Sequence, residues 1–127
     1  MNDMKLTDDF FRIVSDRADG NVSVMTLELN PDHYIFRAHF PEMPVVPGAC
    51  LLQILAELAS LKAGRNLAIS EIRLSKFINP VLPEKDLTVI CSFRKFEDTG
   101  SAIVLQAEME SGSNPETKYA KFSMTLK

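Results

Sequence analysis

The stretch from Ala49 to Leu61 constrains this chain more than any other. It is apolar at every position except Gln53, Glu57 and Ser60. Wound as a helix, at 100° per residue, it places those three polar side chains within roughly 60° of one another. A helix that is apolar on nearly every side has to be wrapped by other structure. Pro47 and Gly48 set its start, because a Pro in the first helical turn forfeits no hydrogen bond. Gly64 sets its stop. The narrow polar stripe has two readings. It faces water or a neighbouring subunit, or it lines a cavity where chemistry happens.

The flanking sequence supplies the wrapping. Phe10 to Ser15 reads as a short strand, Asp19-Gly20-Asn21 as a hairpin turn, and Val22 to Leu29 as the returning strand. The apolar phase of that second strand slips by one residue, which predicts a bulge near Met25 or Thr26. Asn30-Pro31-Asp32 ends it, and the chain passes through His33, a turn residue, to a loop at His39. Beyond the helix, Ile72, Leu74 and Ile78 recur at even spacing. Leu87, Val89, Cys91 and Phe93 alternate cleanly, as do Ile103, Leu105, Ala107 and Met109. Ala120, Phe122, Met124 and Leu126 alternate against Lys121, Ser123, Thr125 and Lys127, the clearest strand of all. Amphipathic antiparallel strands must cover an apolar object, and the helix is the one available. The expectation is an α+β domain over residues 1–127, with a curled antiparallel sheet around one central helix.

Composition narrows the function classes. The chain has 127 residues, 46% of them hydrophobic, and a net charge of −3. That size suits one core, and that charge argues against a nucleic-acid partner. Met1 to Phe11 lacks an apolar run, so no signal peptide is expected, and no stretch approaches a membrane span. Cys50 and Cys91 read as buried small hydrophobes, which with the missing signal suggests a reduced cytoplasmic setting. His33 and His39 are separated by five residues, outside helical register, so no metal site is expected, nor any cofactor.

Two separated motifs carry a resemblance. The first is His39-Phe40-Pro41, Pro44-Val45 and Pro47-Gly48 with the helix behind them. The second is Lys76-Phe77-x-x-Pro80-Val81-x-Pro83, followed by Asp86-Leu87. In this order they resemble the hotdog-fold 3-hydroxyacyl-[acyl-carrier-protein] dehydratases of the FabZ and FabA type. Asn30 to Phe40, with Pro31, His33 and Phe36, is similar to that family's approach to its histidine. The chain also departs from the pattern. Ala38 and Glu42 stand where the family has Gly, and the turn Pro83-Glu84-Lys85-Asp86 is one residue longer. The family carries a carboxylate fourteen positions after the histidine, where this chain has Gln53, and the FabZ type commonly has Gln at the position of Glu57. Acid and amide look exchanged across one helical turn.

The resemblance implies dehydration of a 3-hydroxyacyl thioester. His39 is the candidate base that takes the C2 proton. The N–H groups of Gly48 and Ala49, in the first helical turn, are candidate donors to the thioester oxygen. Phe40 and Pro47 are expected beside them in the substrate site. Gln53 can orient a hydroxyl or a water but cannot shuttle a proton at neutral pH. Glu57, one turn along, is the candidate acid, with its pKa expected to be raised by burial. The resemblance further implies an acyl carrier protein or coenzyme A thioester as substrate. It also implies a homodimer or higher even oligomer, with the site shared between subunits. Arg37, Lys62, Arg65, Arg73 and Lys76 are candidate contacts for an acidic carrier. Two other readings stand beside the dehydratase: an acyl thioesterase using Glu57 to activate water, and an acyl-carrier-binding protein without catalysis.

Overall fold

The computed structural model describes residues 6–38, 45–83 and 87–127. These form β1 (Phe11–Asp19), β2 (Val22–Leu29), α1 (Ile35–Ala38), α2 (Gly48–Ala63), β3 (Ile69–Phe77), β4 (Thr88–Asp98), β5 (Ile103–Ser111) and β6 (Lys118–Leu126). His39, Phe40, Pro41 and Pro44, together with the turn residues Glu84 to Asp86 and the side chain of Arg37, lie outside the described residues.

The six strands make one sheet in the order β1-β2-β4-β5-β6-β3, every pair antiparallel. The sheet curls around α2, the hotdog arrangement expected from the sequence. Leu51, Ile54, Leu55, Leu58 and Ala59 of α2 share one buried cluster with Leu27, Cys91, Phe93, Leu105, Met109, Phe122 and Met124 of the sheet. The alternation read in β4, β5 and β6 is the alternation of burial, because period two sends every second side chain to the helix. Pro47, extended at φ −60° and ψ 145°, precedes the first turn of α2. Gly64 closes the helix at φ 72°, with its N–H donating to the Ser60 carbonyl. That left-handed conformation is the reason a glycine stands there.

Several expectations are corrected. β1 runs to Asp19 rather than Ser15, leaving Gly20-Asn21 as the turn between paired Asp19 and Val22. The bulge falls beside Thr26, as expected, but the extra residue is on β1. Ile13 pairs with Leu27 and Ser15 with Thr26, so Val14 is the extra residue, and it faces solvent. β2 then keeps one phase: Met25, Leu27 and Leu29 join the core, whereas Val24 is buried outside that cluster. The single turn α1 was not anticipated. β3 begins at Ile69 and is exposed along almost its whole length, with large apolar side chains at Ile72, Leu74 and Phe77. Among the described residues it is an outer strand of the sheet, paired only to β6.

Candidate active site at the start of the central helix

The two motifs that lie far apart in sequence meet in space. The Val46 N–H donates to the Val81 carbonyl at 2.8 Å, tying the residues before α2 to the Pro80-Val81 segment. One residue past Pro47, a β-carbon on Gly48 would lie 2.8 Å from Cζ of Phe77. Only glycine admits that approach, so Gly48 lets the Phe77 ring lie on the helix start. Phe77 is braced edge-on by Phe122, with ring centroids 5.6 Å apart. The Gly48 and Ala49 amides lie in the first turn of α2. Early amides of a helix lack intrahelical acceptors, and among the described residues no carbonyl accepts either of these. The helix dipole adds partial positive charge at this point.

The polar stripe divides into three fates. Ser60 is consumed locally: its Oγ donates to the Ala56 carbonyl and accepts the Leu67 N–H, which closes the turn from α2 toward β3. Gln53 is exposed. Glu57 is buried and fully engaged. Its Oε1 accepts the N–H of Thr7 at 2.8 Å and the Thr7 hydroxyl, while the Leu6 N–H reaches Oε1 at 3.0 Å and Oε2 at 2.8 Å. Its Oε2 also accepts from Gln53 Nε2 at 2.9 Å.

This corrects the expectation of a raised Glu57 pKa. Burial pushes it up, but hydrogen bonds from the Thr7 hydroxyl, the Leu6 N–H, the Gln53 amide and the Thr7 N–H outweigh burial, so the group sits below its ordinary value of 4.5. A carboxylate with such partners is an acceptor at neutral pH and holds no proton to give. The sign of the linkage follows. A depressed folded-state pKa adds stability that is complete above the ordinary carboxylate value and is lost as pH falls through the folded value. The wild-type denaturation midpoint should therefore drop on acidification below pH 4.5, and the Glu57→Gln variant should follow a flatter course through that window. Parallel curves would contradict it.

His33 is more than a turn residue. It is buried, its Nδ1 accepts the Ile35 N–H at 3.1 Å, and its Nε2 lies 3.0 Å from Asp9 Oδ2. With Nδ1 accepting, the neutral ring carries its proton on Nε2 and donates it to Asp9. Phe10 and Tyr34 flank the ring at 5.1 and 4.6 Å. Residues 6–11 thus form a clasp, held by Glu57 at one end and His33 at the other. Most of its bonds use backbone amides, which leave no mark in a sequence. The side-chain contributions are the Thr7 hydroxyl and the Asp9 carboxylate.

The profile of the ApeI-like family, described as ApeI dehydratase, matches residues 15–122. The chain belongs to the ApeI-like family. Known ApeI-like and FabZ-type hotdog dehydratases are lyases. The 3-hydroxyacyl-[acyl-carrier-protein] dehydratase FabZ of Streptococcus pneumoniae is 24% identical over 106 residues, covering 78% of this chain and 74% of that enzyme. Among solved structures, the dehydratase heterocomplex ApeI:P from Xenorhabdus doucetiae superposes with a TM-score of 0.70 at 19% identity, over 90% of this chain and 95% of that one. A thioesterase from Haemophilus influenzae shares the fold at a TM-score of 0.58 and 14% identity, covering 91% of this chain and 76% of that one.

Three of the basic residues expected to meet a carrier, Lys62, Arg65 and Arg73, are engaged locally in this ApeI-like chain. Lys62 donates to Ser23 Oγ at 2.8 Å and sits over the Phe93 and Phe96 rings. Arg65 forms a two-bonded pair with Asp98, and Arg73 pairs with Glu71. Lys76 is exposed on β3, opposite Lys121. Cys91 is fully buried and its thiol is pushed up to about 12, chiefly by burial, with Lys62 opposing. Cys50 is partly buried and also raised by burial. Neither thiol is a nucleophile at neutral pH. Among the described residues no helix is long and apolar enough to cross a membrane.

Proposed function

We propose that this chain is a hydro-lyase that converts (3R)-3-hydroxyacyl thioesters to trans-2-enoyl thioesters, with acyl carrier protein or coenzyme A as the thiol handle, in fatty-acid or related acyl-chain synthesis. The observation that carries the reading is the paired Gly48 and Ala49 amides, set against Phe77 and Val81 where the two motifs meet, in a chain of a dehydratase family.

In this reading the thioester oxygen accepts from the Gly48 and Ala49 N–H groups, with Phe40 and Pro47 beside it, and its partial charge grows as the C2 proton leaves. The His39 imidazole takes that proton. The C2–H electron pair becomes the C2=C3 bond as the C3–O bond breaks, and the departing hydroxyl takes a proton to leave as water. Glu57, ionised and fully engaged, is a poor source of that proton, and Gln53 has none. The imidazolium just formed supplies it, so the C2 hydrogen and the hydroxyl depart from one face.

The same reading makes the protein a homodimer. Among the described residues β3 is an unpaired sheet edge that exposes Ile72, Leu74 and Phe77, a surface that calls for a partner. Ala49 and Gln53 are exposed on α2, where a second subunit's His39 would complete the site. The thioesterase alternative, with Glu57 as general base, is less favoured, because the Glu57 oxygens already accept from Leu6, Thr7 and Gln53. Hydration of a crotonyl thioester, the reverse reaction, offers a test. The wild type should bleach the ultraviolet band of the conjugated enoyl group, and a persistent band would contradict the proposal.

A further inference from the structure

The exchange of acid and amide along α2 leaves a geometric consequence at Gln53. A carboxylate accepts and never donates, so the Gln53 amide can face Glu57 only through its nitrogen. The 2.9 Å contact from Nε2 to Glu57 Oε2 therefore assigns the other end of the amide as well. Oε1 is turned away from the carboxylate, on an exposed side chain, and among the described residues no donor reaches it. Gln53 also lies one helical turn after Ala49, on the same face of α2. The Gln53 acceptor thus follows the amides of the helix start by one turn, on the exposed face that carries Ala49. A 3-hydroxyacyl thioester carries its carbonyl oxygen and its hydroxyl across three carbons, an acceptor followed by a donor.

We propose that Glu57 is a positioning residue that holds the Gln53 amide so that Oε1 accepts the O–H of the substrate's 3-hydroxyl. This role rests on the dehydratase reading above. Accepting that O–H turns the hydroxyl lone pairs away from Gln53 and leaves them free to take the proton with which the oxygen departs as water. The clasp supplies the stiffness. The Leu6 and Thr7 amides and the Thr7 hydroxyl hold the Glu57 carboxylate in one orientation, and that orientation holds Gln53.

The test uses the full chain and the N-acetylcysteamine thioester of 3-hydroxybutyrate, with wild type, Glu57→Gln, Gln53→Met and Thr7→Val. In Glu57→Gln, the new amide oxygen accepts from Leu6 and Thr7 and its nitrogen faces Gln53, which reverses the Gln53 amide and presents a donor to the hydroxyl. The expected result is a kcat lower by about tenfold, with KM within about twofold. Gln53→Met should lose at least as much and Thr7→Val less. A readout independent of turnover is the Gln53 side-chain NH2 resonance, assigned by its loss in Gln53→Met. It should titrate with the Glu57 carboxylate, with a midpoint below 4.5, and the titration should vanish in Glu57→Gln. Wild-type kcat in Glu57→Gln or in Gln53→Met, with an active parent, overturns this role and leaves the dehydratase reading standing. A resonance that does not titrate overturns it too, even where a variant fails to fold. An inert wild type overturns the dehydratase reading and this role together.

Discussion

Replacing His39 by Ala is expected to abolish dehydration while the protein stays folded. A positioned general base contributes roughly 10²- to 10⁴-fold, and here one imidazole is assigned both proton transfers, so the loss should lie toward the upper end of that range. Truncation leaves the Gly48 and Ala49 amides in place. Substrate should still bind, and the effect should fall on kcat rather than KM. A thermal melt of the variant checks that it stays folded. An active His39→Ala variant would overturn the assignment of the base.

The largest expected effect on stability is at Leu55. It is completely buried at the middle of α2, in the same cluster as Leu27, Phe93, Leu105 and Met124. Leu55→Ala removes buried methyl groups and leaves a cavity that strands on several sides cannot collapse to fill. The cost should be about 3 kcal/mol, seen as a lower denaturant midpoint at an unchanged slope. A loss under about 1 kcal/mol would mean that the sheet closes on the helix far more freely than interior packing allows.

The contrast between α2 and Glu57 shows what the sequence could reveal. The bounds of α2 were legible because Pro47, Gly48 and Gly64 act through their own backbone geometry. β6 was legible because alternation records burial residue by residue. The bulge was legible near Thr26 but not the strand that carries it, because an extra residue in β1 leaves its trace in how β2 is paired. Val14 itself looks like any other apolar strand residue. Glu57 was misread for a related reason. Its environment is set by Leu6 and Thr7, about fifty residues earlier in the chain, and mostly by their backbone amides, which every residue type but proline carries. The burial of Glu57 was foreseeable from its neighbours in the helix. The donors that reverse the effect of that burial were not. Likewise the Gly48–Phe77 contact, which joins the two motifs, required the turn of β3 back onto α2.

The most direct test of the central claim follows both possible products in one cuvette. Wild-type protein is mixed with a 3-hydroxyacyl pantetheine thioester, and enoyl absorbance and free thiol are recorded together. The enoyl band should rise toward equilibrium with no release of thiol. Thiol release without the enoyl band would contradict the account and make the protein a thioesterase.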